Sequence, residues 1–309
     1  MIFPIPAGCL AVVERLASSG FPSYLVGGCV RDLCRGVAPH DYDLTTPATP
    51  EQMQKAFAGL RVIGTGIAHG TLTVLSDGAA YEVTTYRVDG KYSDGRHPDG
   101  VRFTASLEED LVRRDFTVNA MAYSPREGLI DLFGGQADLA AGIIRAVGEP
   151  ERRFQEDALR IMRALRFAST LGFEIEENTA AALRRLAPTV LRVSPERIRE
   201  ERLKLLSGAS SEKVLRAYRD VLCAAVPALA PIGETWDGAA SAAAKLASDP
   251  TLALAALARP LGEDATSALF RSLRTDKKSE RRATAAVAAL DAGLPADVSD
   301  AGLFLVGYG

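Results

Sequence analysis

The sequence predicts an α+β protein, with an N-terminal mixed α/β head followed by an all-helical neck and body and a short tail. Three observations lead there. Between Tyr24 and about Arg145, short β-rich runs (YLVGG, DYDLTT, TLTVLSD, YEVTTYR) alternate with helical stretches and glycine turns. After Pro150 the strand signals vanish, and EDALRIMRALRFASTLG carries apolar residues at helical spacing. Pro188, Pro195, Pro227, Pro231, Pro250 and Pro260 then punctuate the chain at intervals suited to short helices. The expected units are a head over 1–145, a helical neck over 146–206, and a helical body and tail over 207–309.

The first element, MIFPIPAGCLAVVERL, lacks a basic start and carries Glu14 and Arg15 inside its apolar run, so it reads as an amphipathic helix rather than a signal peptide. Next comes the most informative stretch, YLVGGCVRDLCRGVAPHDYDL. Tyr24, Leu25 and Val26 form a strand; Gly27 and Gly28 free the backbone to approach a polyphosphate, and the residues after them open a helix whose amides can face anions. Asp41 and Asp43 flank Tyr42 in an expected second strand, which would turn both carboxylates to one side of the sheet. Such a pair suits Mg²⁺, which takes one or two protein carboxylates together with substrate phosphates.

VIGTGIAHGTLTVL, Val62 to Leu75, has glycines that suggest tight turns around a hairpin. YEVTTYR alternates like a strand with Glu82, Thr84 and Tyr86 on one face, and a neighbouring strand could bring Glu82 beside the aspartates. Three such carboxylates repel one another unless divalent cations neutralise them. VDGKYSDGRHPDGVRF, with glycines, charges and few residues of buried type, reads as a mobile loop. In RRDFTVNAMAY, Asp115 follows Arg114 and is expected to cap a helix running through Asn119, Ala120 and Met121. Asp131 and Arg145 are expected to pair. In EDALR, Asp157 and Arg160 are i, i+3 and should share one helix face.

Composition bounds the function. With 309 residues and 47% hydrophobic content, the chain can build more than one core. A net charge of −3 excludes a global positive field, so any RNA contact is local. Cys9, Cys29, Cys34 and Cys223 have no paired C-x-x-C spacing and His40, His69 and His97 are scattered, which argues against zinc and a disulfide framework. The alanine-rich region after Trp236 is interrupted by Lys245, Asp249 and Arg259 before it reaches membrane-spanning length. A cytoplasmic protein is expected.

From about Tyr24 to about Leu206 the motifs, in their order, resemble the nucleotidyltransferase superfamily. Within it they resemble the class II tRNA nucleotidyltransferases (CCA-adding enzymes) and the bacterial poly(A) polymerases. The resemblance implies a polymerase-β-like palm in the head and template-independent addition of CMP and AMP from CTP and ATP to the tRNA 3′ end. It implies Asp41 and Asp43 as Mg²⁺ ligands with Glu82 as the third catalytic carboxylate, Gly27, Gly28 and Arg31 around the triphosphate, and Arg114 and Asp115 at the ribose. Asp157 and Arg160 would read the base, with Arg163 and Arg166 beside them at the nucleotide. Adenine and cytosine both offer an exocyclic amine beside a ring-nitrogen acceptor, so one Asp/Arg pair can accept both and reject GTP and UTP, with selectivity on the order of 10⁴.

Thr65 and Gly66 stand where poly(A) polymerases tend to carry basic residues, and the loop after Arg87 corresponds to the family's flexible loop for switching from C to A addition. Arg163, Arg166, Arg184, Arg185, Arg192, Arg197, Arg199, Arg202 and Lys204 are candidates for acceptor-stem phosphates, although Glu196, Glu200 and Glu201 make an ion-paired face an equal reading. An A-adding enzyme, a poly(A) polymerase and an inactive RNA-binding homologue remain alternatives. The chain reaches LFLVGYG soon after SLRTDKKSERRA, where family members commonly continue through a longer helical tail; without such a tail, weak tRNA affinity with preserved head chemistry is expected.

Overall fold

The computed structural model describes residues 2–89 and 101–291. The chain divides into two compact units, the first ending at Glu149 and the second beginning at Pro150.

The first unit is built on a seven-stranded mixed sheet. Its strands are β1 (Tyr24–Val26), β2 (Asp43–Thr46), β3 (Arg61–Ile63), β4 (Thr71–Ser76), β5 (Ala79–Thr85), β8 (Met121–Ser124) and β9 (Gly128–Asp131), in the order β3-β4-β5-β2-β1-β8-β9. A separate antiparallel ribbon pairs β6 (Arg87–Asp89) with β7 (Val101–Phe103). Every neighbouring pair in the large sheet is antiparallel except β2–β5. A parallel pair needs a crossover connection, and the chain supplies it with α3 (Pro50–Ala56) and the β3–β4 hairpin. The hairpin expected around Val62 to Leu75 is present. Of the loop expected over Val88 to Phe103, the two ends form the β6–β7 ribbon instead, and residues 90–100 lie outside the described residues.

One face of the sheet is covered by α1 (Ala7–Ser18), α2 (Gly28–Cys34) and α3. In α1, the expected N-terminal helix, Cys9, Val12, Val13 and Leu16 recur at helical spacing and are buried. They meet Leu25, Leu44, Leu72, Val74 and Val83 in the main core. Thr49 caps α3 by accepting from the Gln52 amide, while the Gln52 side chain accepts from the Thr49 amide, and Pro50 fixes the first turn. On the opposite face Tyr24, Val26, Tyr86 and Ala122 pack with Leu111 of α4 (Leu107–Val112). The helix expected after Asp115 is absent: a single 3₁₀ turn, Thr117–Asn119, leads directly into β8, whose residues are buried between β1 and β9. Gly135, at the start of α5 (Gly135–Ala141), must be glycine, because a Cβ there would lie 2.4 Å from the Thr117 carbonyl oxygen.

The second unit is helical, as expected: α6 (Pro150–Glu156), α7 (Leu159–Leu171), α8 (Glu177–Leu186), α9 (Pro195–Leu206), α10 (Ser211–Ala217), α11 (Arg219–Ala225), α12 (Trp236–Lys245), α13 (Pro250–Ala258), α14 (Glu263–Ser272) and α15 (Lys277–Asp291). α13 is buried from Leu252 to Ala258, an apolar rod around which α9, α12 and α15 pack. Its start is fixed by Pro250 and by Asp249, which accepts from the Thr251 and Leu252 amides. Trp236 is enclosed and donates its indole N–H to the Leu215 carbonyl at 2.8 Å. Among the described residues no helix is long and apolar enough to cross a membrane.

Candidate active site

The glycine pair forms the turn from β1 into α2. Gly27 leaves β1 with φ 76° and ψ −135°, a conformation essentially reserved for glycine, and Gly28 begins α2. A Cβ on Gly27 would come within 3.1 Å of Arg114 Nη1, so the backbone is bare where that guanidinium rests. Arg31, in α2, donates Nε and Nη2 to the two carboxylate oxygens of Asp32 at 2.9 and 3.0 Å, and Nη1 to Asn119 Oδ1 at 2.8 Å. Asn119 in turn donates to Asp115 Oδ1 at 3.2 Å. A hydrogen-bond relay thus links Arg31, expected at the triphosphate, to Asp115, expected at the ribose. Asp115 also accepts from the Phe116 amide at 2.8 Å, ahead of the 3₁₀ turn, so the expected cap of a following helix is not formed.

Two of the three candidate carboxylates meet. Asp43 opens β2 directly opposite Glu82 in the parallel register with β5, and both side chains are open to solvent. Desolvation by the surrounding protein raises the Asp43 carboxyl above its ordinary range; Glu82 raises it next, Arg114 opposes, and Asp41 adds a smaller upward push. Asp41 itself lies ahead of the strand rather than in it, which corrects the expected alternation around Tyr42. Its side chain is 80% exposed and turned to His40 Nδ1 at 3.1 Å. Among the described residues no group of three His, Cys, Asp or Glu side chains is gathered tightly enough to hold a metal. The donor set is nonetheless the hard-oxygen type that Mg²⁺ takes, and Asp43 and Glu82 are already adjacent.

Asp110 is a functional candidate that the sequence reading missed. It is fully enclosed and binds Arg113 and Arg114. Its signal was available, since it stands i−3 and i−4 to the two arginines at the end of a helical turn. No local pattern announced Asn119 as Arg31's partner, 88 residues away. The expected Asp131–Arg145 pair does not form. Asp131 accepts from the Gly135 and Gln136 amides at 2.8 and 2.9 Å, capping α5, and Arg145 pairs with Asp138 at 3.1 Å.

In the second unit, Asp157 and Arg160 do not share one continuous helix, because the chain breaks between α6 and α7 at Asp157 and Ala158. Asp157 Oδ1 accepts from the Leu159 amide at 3.0 Å and Oδ2 from Arg197 Nη2 at 2.9 Å. Arg160 is buried and donates Nη1 to Glu156 Oε2 at 2.9 Å and to the Arg153 carbonyl at 3.2 Å. Arg163 and Arg166 pair with Glu201 at 3.7 and 3.0 Å and lie over the Phe167 ring at 5.5 and 4.0 Å.

Most of the expected phosphate-facing arginines are engaged within the fold. Arg184 pairs with Asp220 at 3.3 Å, Arg185 with Glu151, and Arg199 donates to the Arg274 carbonyl. Arg202 corrects its expectation outright. It is 2% exposed, none of its nitrogens has a hydrogen-bond partner among the described residues, and burial lowers its pKa to about 10. Arg192 and Lys204 are exposed.

Residues 23–145 match the family described as the poly A polymerase head domain, and residues 172–225 match the family described as the probable RNA and SrmB-binding site of polymerase A. The CCA-adding enzyme of Leuconostoc mesenteroides is 47% identical over 226 residues, covering 73% of this chain and 55% of that protein. That of Lactobacillus helveticus is 48% identical over 211 residues, covering 68% and 52%. The chain thus spans about half the length of the curated relatives it matches. Among solved structures, the Bacillus stearothermophilus CCA-adding enzyme in complex with CTP superposes with a TM-score of 0.79 at 37% identity, covering 92% of this chain and 69% of that one.

Proposed function

Because the chain belongs to the family of class II tRNA nucleotidyltransferases and bacterial poly(A) polymerases, we propose that it adds CMP and AMP, from CTP and ATP, to the 3′ end of tRNA. The observation that carries this reading is the register of Asp43 with Glu82 on adjacent strands of a head whose bare Gly27 backbone receives Arg114. The named CCA-adding relatives, one of them solved with CTP, support the choice of substrates.

In the proposed reaction the tRNA 3′-hydroxyl attacks the α-phosphorus in line. The new bond is from O3′ to phosphorus, the α–β bridging bond breaks, and pyrophosphate leaves with the bridging oxygen. Gly27, Gly28 and Arg31 hold the triphosphate, with Arg31 oriented by Asp32 and Asn119. Arg114 and Asp115 meet the ribose, and hydrogen bonds to its hydroxyls favour ribonucleotides over deoxyribonucleotides. Asp43 and Glu82, with Asp41, are the residues that would hold Mg²⁺, which supplies neutralisation of the phosphate charge and activation of the attacking oxygen. Asp157 accepts from the exocyclic amine of cytosine or adenine and Arg160 donates to the ring nitrogen, with Arg197 and Glu156 fixing their orientations. The free thiols of Cys9, Cys29, Cys34 and Cys223 agree with a reducing compartment, and we assign the protein to the cytoplasm.

The test supplies CTP and ATP separately to tRNA ending before CCA, after the first C and after CC. CMP incorporation on the first two and AMP on the third support the reading. AMP alone on the CC-ending tRNA would make it an A-adding enzyme, runs of AMP on any RNA a poly(A) polymerase, and RNA binding without incorporation an inactive homologue. Undiminished transfer by D43A would remove the acid pair from the chemistry.

A further inference from the structure

Asp110 uses both carboxylate oxygens. Oδ1 accepts from Arg113 Nε and Nη2 at 3.0 and 2.7 Å and from the Arg87 amide at 3.3 Å, while Oδ2 accepts from Thr45 Oγ1 at 3.2 Å and from Arg114 Nη2 at 3.4 Å. Thr45 lies two residues beyond Asp43 on β2, and Arg87 opens β6. The other end of the Arg114 fork rests against Gly27, within 3.1 Å of where a Cβ would stand. One buried anion therefore holds this guanidinium at the bare turn and ties it to the strand that carries Asp43. Burial alone would raise the Asp110 carboxyl, but Arg113 and Arg114 outweigh it and hold the group below its ordinary range, ionised at neutral pH.

The geometry points to Asp110 as a positioning residue for nucleotide binding, acting through Arg114 and not by touching the substrate. The inference rests on the reading of the site given above, since Arg114 matters to a nucleotide only if one binds at Gly27. The competing description is a purely structural knot joining β2, β6 and the end of α4, in which losing Asp110 would loosen the whole head.

A double-mutant cycle separates the two. CTP affinity with Mg²⁺ is measured by equilibrium titration, and stability by urea unfolding, for the wild type, D110N, R114A and the double variant. D110N is expected to weaken CTP binding on the order of tenfold when Arg114 is present and by roughly twofold or less in the R114A background. Stability should fall with D110N in both backgrounds, because Arg113, Thr45 and the Arg87 amide lose their acceptor either way. Equal loss of CTP affinity in the two backgrounds overturns the inference. If D110N does not fold, Thr45→Val removes one of the two bonds on Asp110 Oδ2 and leaves that of Arg114, at the cost of the Thr45 hydroxyl's other contact, the Thr84 carbonyl at 3.2 Å. It should weaken CTP binding about threefold, and that effect should vanish with R114A; persistence there overturns the inference in the same way. A wild type that binds CTP and transfers it while the cycle is additive sinks only the role of Asp110. A wild type that binds CTP without transfer while the cycle is non-additive sinks only the proposed reaction, and a wild type that binds no CTP removes both.

Discussion

Asp43 and Glu82 stand as direct partners across the single parallel pairing of the large sheet, 39 positions apart in sequence and adjacent in space. Desolvation first, and then Glu82, disfavour the charge on Asp43, which makes this carboxylate a source of instability at neutral pH.

D43N should therefore act with opposite signs on activity and stability. Nucleotide transfer is expected to fall by on the order of 10³ or more, while stability in EDTA rises by ~0.5–1 kcal/mol. The sign with pH follows from the raised carboxyl. A raised pKa favours folding below the ordinary aspartate value of 3.8 and loses that contribution as pH rises through the folded value, so the advantage of D43N should be absent in acid and grow toward neutrality. Urea unfolding in EDTA at several pH values checks this, and equal stability of wild type and variant at neutral pH would contradict it.

Tyr24 donates its hydroxyl to Glu127 at 2.6 Å. Burial, then that hydrogen bond and the nearby carboxylate, push the phenol up to about 12 from 10.0. The raised value means a contribution present below pH 10 and lost as pH climbs through about 12. Y24F should cost about 1 kcal/mol near pH 8 and be less sensitive to alkali than the wild type, as read from unfolding midpoints across that range.

Arg202 is enclosed, and among the described residues none of its three nitrogens has a hydrogen-bond partner. Methionine has similar reach and no charge, so R202M should raise stability by ~1–3 kcal/mol. Chemical denaturation measures it, and a destabilised variant would mean that the guanidinium has found an anion.

Arg197 holds Asp157 at 2.9 Å. R197A leaves Asp157 capped on the Leu159 amide but free to turn, so the discrimination against UTP and GTP should drop roughly tenfold or more while kcat with CTP changes less. Single-turnover incorporation of all four nucleotides shows whether the loss is one of selectivity or of general activity.

Much of the head was legible because the signals were local: glycines at the turn after β1, the glycine-marked hairpin, and alternation in β5. The misreadings share a cause, which is that the deciding partner was distant. The β1–β2 register pairs Leu25 with Leu44, so Tyr42 and Asp41 would fall opposite Gly27 and Gly28, where the chain has already turned into α2. Strand β2 consequently begins at Asp43. In RRDFTVNAMAY, the apolar residues Phe116, Val118, Ala120 and Ala122 alternate with period two, and burial between β1 and β9 selected the strand over the helix. Asp157 interrupted its own helix by accepting from the Leu159 amide, a competition with backbone bonding that short acidic side chains often win. Asp131 was likewise claimed by the start of α5, which left Arg145 to Asp138. The basic residues of the second unit could not be assigned from spacing, because whether an arginine is paired, enclosed or exposed depends on the helix packed against it.

The lone parallel pairing makes the meeting of Asp43 and Glu82 depend on chain that is made well after Asp43. A ribosome that has produced the chain as far as Asp43 has made both aspartates but no acid pair. Glu82 can join only once the chain has run on through α3 and the β3–β4 hairpin to β5. Polypeptides that end before β5 therefore lack the paired carboxylates.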